Sequence, residues 1–116
     1  MIALTEDKRM LGYGVMTPYS NIFCFATTRR GGFSKGDYAS FNCTPYTGDD
    51  AESVRRNQEL LCNSMPQHPK ELVIPFQTHG TKVEVIDEKY LNATSDERTV
   101  MLQGVDALIT KEPGCC

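Results

Sequence analysis

The sequence predicts an α+β domain in which a mixed β-sheet sandwich is flanked by helices. Short apolar, β-branched runs of strand length recur along the chain, and residues 51–64 carry the apolar spacing of an amphipathic helix. The chain has 116 residues, of which 40% are hydrophobic and 23% are charged. This length and composition are typical of one globular domain.

Apolar runs bounded by turn residues predict strands at residues 10–15, 22–28, 72–77, 83–86 and 105–110. The run at 72–77 contains Pro75, which indicates an edge strand or a bulge. The run at 83–86 alternates apolar and polar residues, as a half-buried strand does.

The clearest helix, Ala51 to Ser64, is expected to begin at Asp49 or Asp50 and to stop before Pro66. Asp49 lies three residues before Glu52, which is the spacing of a capping box. Acidic residues at this end are favoured by the helix dipole. The polar stretch at 92–99 is expected to be an exposed connection.

Charge and hydropathy argue against two function classes. The chain has 12 basic and 15 acidic residues, and no basic block is longer than two residues, which disfavours a nucleic-acid-binding surface. No run approaches the roughly 18 apolar residues of a membrane-spanning helix, so no membrane contact is expected. The first ten residues are charged and lack the apolar core of a signal peptide.

The cysteines indicate a reducing compartment. Their number is odd, their spacing is irregular, and no pair is separated by two residues: Cys24, Cys43, Cys62, Cys115 and Cys116. This usage is typical of free thiols rather than of a disulfide framework. We therefore expect a cytoplasmic protein with all cysteines reduced.

A glycine-rich loop at 28–34 is the first candidate binding element. Glycines allow backbone N–H groups to turn toward an anion, and Arg29 adds charge-assisted hydrogen bonds, so the loop suits phosphate or carboxylate. Gly31 or Gly32 is expected at positive φ. A surface turn with two solvated arginines explains the same pattern. Asn42 could orient a ligand hydroxyl or cap a turn.

His79 is the second candidate, in the sequence Gln-Thr-His-Gly after an apolar run. A histidine beside a glycine suits a metal ligand or a general base, although a lone histidine is often structural. A ligand histidine usually donates its second ring N–H to a carbonyl or carboxylate, so such a partner is expected near the ring. His68 lies between two prolines and is expected to be solvated.

The order of these motifs resembles a known family. The runs TTRRGGFSKGDYASFN, GDDAESVRRNQELL, PFQTHGTKVEVID and GVDALITKEPG are similar to the YfiH-type family, also called laccase-domain or multicopper polyphenol oxidoreductases. The resemblance extends from Phe23 to Cys116. It implies that residues 1–116 are the N-terminal part of a single family domain, and that the full-length domain is a purine nucleoside phosphorylase with adenosine deaminase activity.

The resemblance also implies a metal, zinc or alternatively copper, bound by two histidines and one cysteine. His79 matches the first histidine and would be both catalytic and metal-binding. The family's Ala-Asp-Cys and His-Ala-Gly-Trp-Arg-Gly motifs do not occur in these 116 residues, and Cys115 and Cys116 lack that context. A purine nucleoside and phosphate would be the substrates, and the substrate-binding residues would be Arg29, Gly31, Gly32 and Asn42.

Two other functions stay open at this point. One is copper-dependent oxidation of phenols in the manner of a laccase, against which stands the presence of only two histidines. The other is a catalytically silent truncated fragment or an assembly module that self-associates through an incomplete sheet. On the enzyme interpretation, residues 1–116 alone are expected to be inactive and to bind zinc weakly or not at all.

Overall fold

The α+β class is confirmed in a computed structural model that describes all residues 1–116. The chain divides into two compact units, an N-terminal unit of residues 1–68 and a C-terminal unit of residues 69–116. Strands are antiparallel in the first unit and parallel in the second. No helix has both the length and the apolar character needed to cross a membrane.

The sheet of the N-terminal unit consists of strands β1 (Ile2–Ala3), β2 (Met10–Gly12) and β3 (Phe25–Thr27) in that order. β2 pairs antiparallel with both neighbours, and its Met10 is fully buried. The predicted strands at 10–15 and 22–28 are thus present but shorter. β2 ends because a 3₁₀ turn begins at Gly14.

Helix α1 (Ala51–Asn63) follows the prediction closely and ends before Pro66. Its N-cap is Asp50, whose carboxylate accepts the Ser53 N–H at 3.0 Å. The predicted capping box from Asp49 is wrong, because the Asp49 carboxylate accepts hydrogen bonds from the loops before the helix instead. The buried face comprises Val54, Asn57, Leu61 and Cys62.

The C-terminal unit is built on two parallel strands, β4 (Val83–Ile86) and β5 (Ala107–Thr110). Parallel strands require a crossover connection, and α2 (Glu88–Leu91) and α3 (Ser95–Leu102) supply it. The core of the unit comprises Val73, Ile86, Tyr90 and Leu102. Ile86, on β4, is 2% exposed, which places the strand pair against this core.

Two sequence predictions in this unit are wrong. The stretch 92–99 is not a plain connection, because Thr94 and Glu97 form a reciprocal capping box that begins α3. The run at 72–77 is not a strand, since only the isolated bridges Glu71–Cys115 and Phe76–Gln103 pair there. Pro75 lies in this run and has no N–H to donate to a ladder.

The cysteines are all free, as predicted. Burial, followed by the nearby Cys62, raises the pKa of Cys43 to about 11. Burial also raises the pKa of Cys116, with a further contribution from Cys115. Because the thiolate is the nucleophilic and metal-binding form, Cys43 is a protonated and unreactive thiol at neutral pH.

Candidate functional site

The glycine loop of the N-terminal unit is closed by Ser40. The backbone N–H groups of Ser40 and Phe41 donate to the Arg29 carbonyl at 2.7 and 3.1 Å. The Ser40 hydroxyl accepts the Gly32 N–H at 3.0 Å and donates to the Arg29 carbonyl at 3.1 Å. One serine therefore ties both sides of the loop together.

Both loop glycines are required by close approach of other groups. Gly31 has φ 77°, which confirms the predicted positive φ, and a Cβ there would overlap the Asp7 carboxylate. A Cβ on Gly32 would overlap the Ser40 carbonyl oxygen. The Asp7 carboxylate is itself held by Arg9 through an ion pair at 2.7 Å.

Asn57 of α1 holds the loop through hydrogen bonds of its side chain, and it was not identified from the sequence. It is fully buried, and its Oδ1 accepts the Phe33 N–H at 2.7 Å. Its Nδ2 donates to the Ser34 hydroxyl at 2.9 Å and to the Asn42 carbonyl at 2.8 Å. The only sequence signal for this role is a polar residue on the apolar face of the helix.

Asn42 caps the turn that follows the loop. Its Nδ2 donates to Thr47 at 3.0 Å and to Asp49 at 3.1 Å, and its Oδ1 accepts the Thr44 N–H at 3.2 Å. A hydrogen bond from Ser34, with a smaller contribution from Asn42, lowers the pKa of Asp49. The Asn42 amide is thus already paired within the chain, although its residue borders the cleft described next.

A polar cleft of about 430 Å³ opens beside the loop, lined by Thr27, Thr28, Arg29, Asp37, Tyr38, Ala39, Phe41 and Asn42. Two of the predicted binding residues, Arg29 and Asn42, therefore lie on one cleft. The Nε of Arg29 donates to the Ala39 carbonyl at 3.0 Å, while its two terminal nitrogens have no partner in the chain. They are free to bind an anion in the cleft. Asp37 lines the same cleft and contributes a negative charge, opposite in sign to that of Arg29.

The loop offers few free backbone donors. The N–H groups of Gly32, Phe33 and Ser34 all donate within the unit. The Gly31 N–H has no acceptor in the chain. Neither Gly31 nor Gly32 lines the cleft, so an anion there would meet the Arg29 guanidinium, and the Gly32 N–H already donates to Ser40.

In the C-terminal unit, His79 lies in a turn that the Asp106 carboxylate holds. The Thr78 and His79 N–H groups donate to its Oδ1 at 3.1 and 2.8 Å, and the Gly80 N–H donates to its Oδ2 at 2.8 Å. His79 has φ 60° and is exposed. Sequence reasoning placed Asp106 in a strand candidate and missed this contact.

The His79 imidazole makes no hydrogen bond within the chain, so the expected ring partner is not found here. The nearest carboxylate, Asp106, accepts the backbone N–H groups of the turn instead. No group of three His, Cys, Asp or Glu residues is placed to hold a metal ion. An exposed, unpartnered imidazole is chemically able to act as a single metal ligand.

Comparison with known proteins gives concordant matches. A sequence model of the family described as multi-copper polyphenol oxidoreductase laccase matches residues 23–116. The chain is 63% identical over 116 residues to a purine nucleoside phosphorylase of Bacteroides thetaiotaomicron, which is 100% of this chain and 43% of that protein.

Two further matches are more distant. The chain is 38% identical over 90 residues to adenosine deaminase RL5 from an unknown prokaryotic organism, covering 78% of this chain and 34% of that protein. The crystal structure of YlmD from Geobacillus stearothermophilus matches with a TM-score of 0.61 at 30% identity, over 77% of this chain and 33% of that one. The chain thus spans less than half the length of each of these relatives.

Proposed function

The chain belongs to the multi-copper polyphenol oxidoreductase laccase family, and on that basis we propose that residues 1–116 form the N-terminal part of a single-domain purine nucleoside phosphorylase with adenosine deaminase activity. The observation that carries this proposal is 63% identity over the whole chain to a protein of that first name. The second activity is supported by 38% identity to an adenosine deaminase. Five free cysteines support a cytoplasmic location.

In this proposal the cleft beside the glycine loop binds phosphate. Phosphorolysis requires an anion held against C1′ of the ribose, so that a phosphate oxygen bonds to C1′ as the purine leaves with the glycosidic electron pair. The terminal nitrogens of Arg29 supply charge-assisted hydrogen bonds. Gly31 does not line the cleft, and its proposed contribution is the positive φ that turns the loop. Gly32 shapes the loop by allowing the Ser40 carbonyl to approach. Asn42 borders the nucleoside.

His79 is proposed as a metal ligand, with zinc as the first candidate and copper as the alternative. When bound, such a metal supplies the activation of water that deamination needs. The chain's own contribution is an exposed imidazole whose two nitrogens are unpartnered, held on a turn with fixed backbone geometry. Since this is one donor, residues 1–116 alone are expected to be inactive and to bind zinc weakly.

Two other functions have specific support. The name of the family favours copper-dependent phenol oxidation, which several copper ions per protein would support. Exposed apolar residues on the parallel sheet, Val83, Val85 and Ile109, favour an assembly module that self-associates. Metal analysis and light scattering separate these from the nucleoside enzyme.

The decisive experiment replaces the matched 43% of the Bacteroides thetaiotaomicron enzyme with residues 1–116 of this chain. We expect the chimera to release purine base from inosine and adenosine only when phosphate is present, and to release ammonia from adenosine. Residues 1–116 alone serve as the inactive reference. A folded chimera without either activity would contradict the proposal.

Two substitutions in the chimera test the proposed residues. His79→Ala should abolish both activities and metal binding, whereas His68→Ala, at the other histidine of the chain, should retain them. Arg29→Ala should raise the KM for phosphate about tenfold, as loss of one charge-assisted hydrogen bond predicts. Arg30→Ala is the matched control, since Arg30 is exposed and does not line the cleft. Unchanged kinetics after His79→Ala would show that His79 is a structural histidine.

A further inference from the structure

We propose that Asp106 is a positioning residue, which fixes the direction of the His79 side chain by holding the backbone of its turn. The inference rests on the proposed function, because that function gives His79 its role as a metal ligand. The clamp is defined here as the Asp106 carboxylate and the N–H groups of Thr78, His79 and Gly80.

Asp106 accepts all tertiary hydrogen bonds of the turn, three of them through the clamp. On the N-terminal side of the turn, the last backbone hydrogen bond is from the Phe76 N–H to the Leu102 carbonyl. On its C-terminal side, β4 begins at Val83. Between them, residues 77–81 form hydrogen bonds only with Asp106. Three backbone N–H groups donate to its carboxylate, and the Gln77 side chain donates to its backbone carbonyl at 3.3 Å. The position of the turn therefore depends on this one residue.

Asp106 is itself held rigidly. The preceding residue, Val105, is fully buried, and the Asp106 N–H donates to the Lys82 carbonyl at 3.0 Å at the start of the parallel strand pair. The carboxylate thus projects from a fixed point of the sheet. Three converging N–H groups form a concave anion site, which the chain fills with its own carboxylate.

The clamp holds His79 in a conformation that a free histidine seldom adopts. A φ of 60° lies in the left-handed region, which is unfavourable for a residue with a Cβ. Without the carboxylate, the turn can return to right-handed or extended backbone, and the Cα–Cβ bond of His79 then points elsewhere. The imidazole has no hydrogen bond of its own that would keep its direction.

Both carboxylate oxygens are occupied, Oδ1 by two N–H groups and Oδ2 by one. Asp106 therefore acts through the backbone of His79 rather than on a metal or a substrate. Both the charge and the shape of the Asp106 side chain matter. An asparagine amide at this position would present one N–H₂ group where the clamp needs an acceptor.

The first test uses residues 1–116 without metal. Amide hydrogen exchange measured by NMR should be at least tenfold slower at Thr78, His79 and Gly80 than at Thr81, whose N–H has no acceptor in the chain. Equal exchange at all four positions in the unaltered protein would overturn the clamp. This measurement needs no substitution, and it does not depend on any catalytic activity.

Asp106→Asn then tests the role of the carboxylate. Exchange at 78–80 should become at least tenfold faster, with the His79 ring resonances shifted. The matched control is Asp87→Asn, the same change in the same unit at a carboxylate that accepts the Tyr90 N–H. The control should leave residues 78–80 unchanged. Unchanged exchange in Asp106→Asn would overturn the proposal.

The second test measures zinc affinity of the chimera by competition with a chelator. Asp106→Asn should weaken zinc binding about 10- to 100-fold, the range observed when the support of a ligand is removed. Asp87→Asn should change it by less than about twofold. Equal affinity in Asp106→Asn and the unaltered chimera would overturn the positioning role. A chimera that binds no zinc would overturn the proposed metal function, while the exchange measurements would still decide whether the clamp exists.

Discussion

The Ser34 hydroxyl donates a 2.5 Å hydrogen bond to the Asp49 carboxylate, and this contact joins the glycine loop to the segment that enters α1. This hydrogen bond is the largest of the causes that lower the pKa of Asp49. The same hydroxyl accepts a hydrogen bond from the buried Asn57 amide. The loop beside the cleft is therefore tied to the helix by polar contacts, which makes its geometry open to direct tests.

Replacing Ser34 by alanine should raise the pKa of Asp49 toward its ordinary value, because the hydrogen bond that stabilises the ionised carboxylate is lost. The pKa is measured by NMR titration of the Asp49 carboxyl carbon. Ser53→Ala is the matched control, since its hydroxyl donates to Asp50 and not to Asp49. A pKa of Asp49 that is equal in Ser34→Ala and the unaltered protein would contradict the assigned cause.

Asp7 gives a prediction for the dependence of stability on pH. A hydrogen bond from the Arg9 side chain lowers its pKa from 3.8 to about 2. Because the folded pKa is below the unfolded value, the stabilisation is fully present above the unfolded pKa and is lost as pH falls toward the folded one. Between pH 4 and pH 2, the urea midpoint of the unaltered protein should therefore fall more steeply than that of Asp7→Asn. Glu6→Gln, at an exposed neighbour, should follow the unaltered protein.

Replacing the fully buried Asn57 by leucine should lower the free energy of unfolding by about 3 kcal/mol or more. The change leaves the Phe33 N–H and the Asn42 carbonyl without their partners, and each unpaired buried group costs about 1–3 kcal/mol. Urea unfolding measures the loss. Asn63→Ala, at the exposed end of the same helix, should change it by less than about 0.5 kcal/mol. Similar losses in both variants would mean that the buried network contributes little.

Alanine substitutions at Gly31 and Gly36 distinguish the free-energy cost of backbone strain from the cost of steric overlap. Both have positive φ, at 77° and 62°, so an alanine at either pays about 1–2 kcal/mol for the left-handed conformation. A Cβ at Gly36 meets nothing within 4 Å, whereas one at Gly31 overlaps the Asp7 carboxylate. Gly31→Ala should therefore destabilise the protein by at least about 1 kcal/mol more than Gly36→Ala in urea unfolding. Equal losses would show that the Asp7 side chain moves aside freely.

Local patterns were sufficient to predict much of the fold. The apolar spacing of residues 51–63, bounded by acidic residues and Pro66, identified α1 almost to the residue. The alternation at 83–86 identified β4, and the two adjacent glycines indicated the loop with positive φ. Each of these signals involves residues within a few positions of one another, where helix periodicity, strand alternation and capping act.

The two missed elements have different causes, and only the first depends on residues far away in the sequence. The apolar run at 72–77 looks like a strand, but a run becomes a strand only where a partner lies alongside, and here only single bridges form. The stretch at 92–99 looked like a polar connection because α3 is only weakly amphipathic, although its Thr94–Glu97 capping box was present in the sequence.

The candidate site also has a part that the sequence predicts and a part that only the folded structure shows. The residues that chemistry singles out, Arg29 and His79, are recognisable from the sequence by their type and their glycine neighbours. The residues that position them are not recognisable from the sequence. Asn57 contacts the loop across 24 positions, and Asp106 contacts the His79 turn across 27. A hydrogen bond over such a separation leaves no local pattern in the sequence, since it exists only after packing of the chain has brought donor and acceptor within 3 Å.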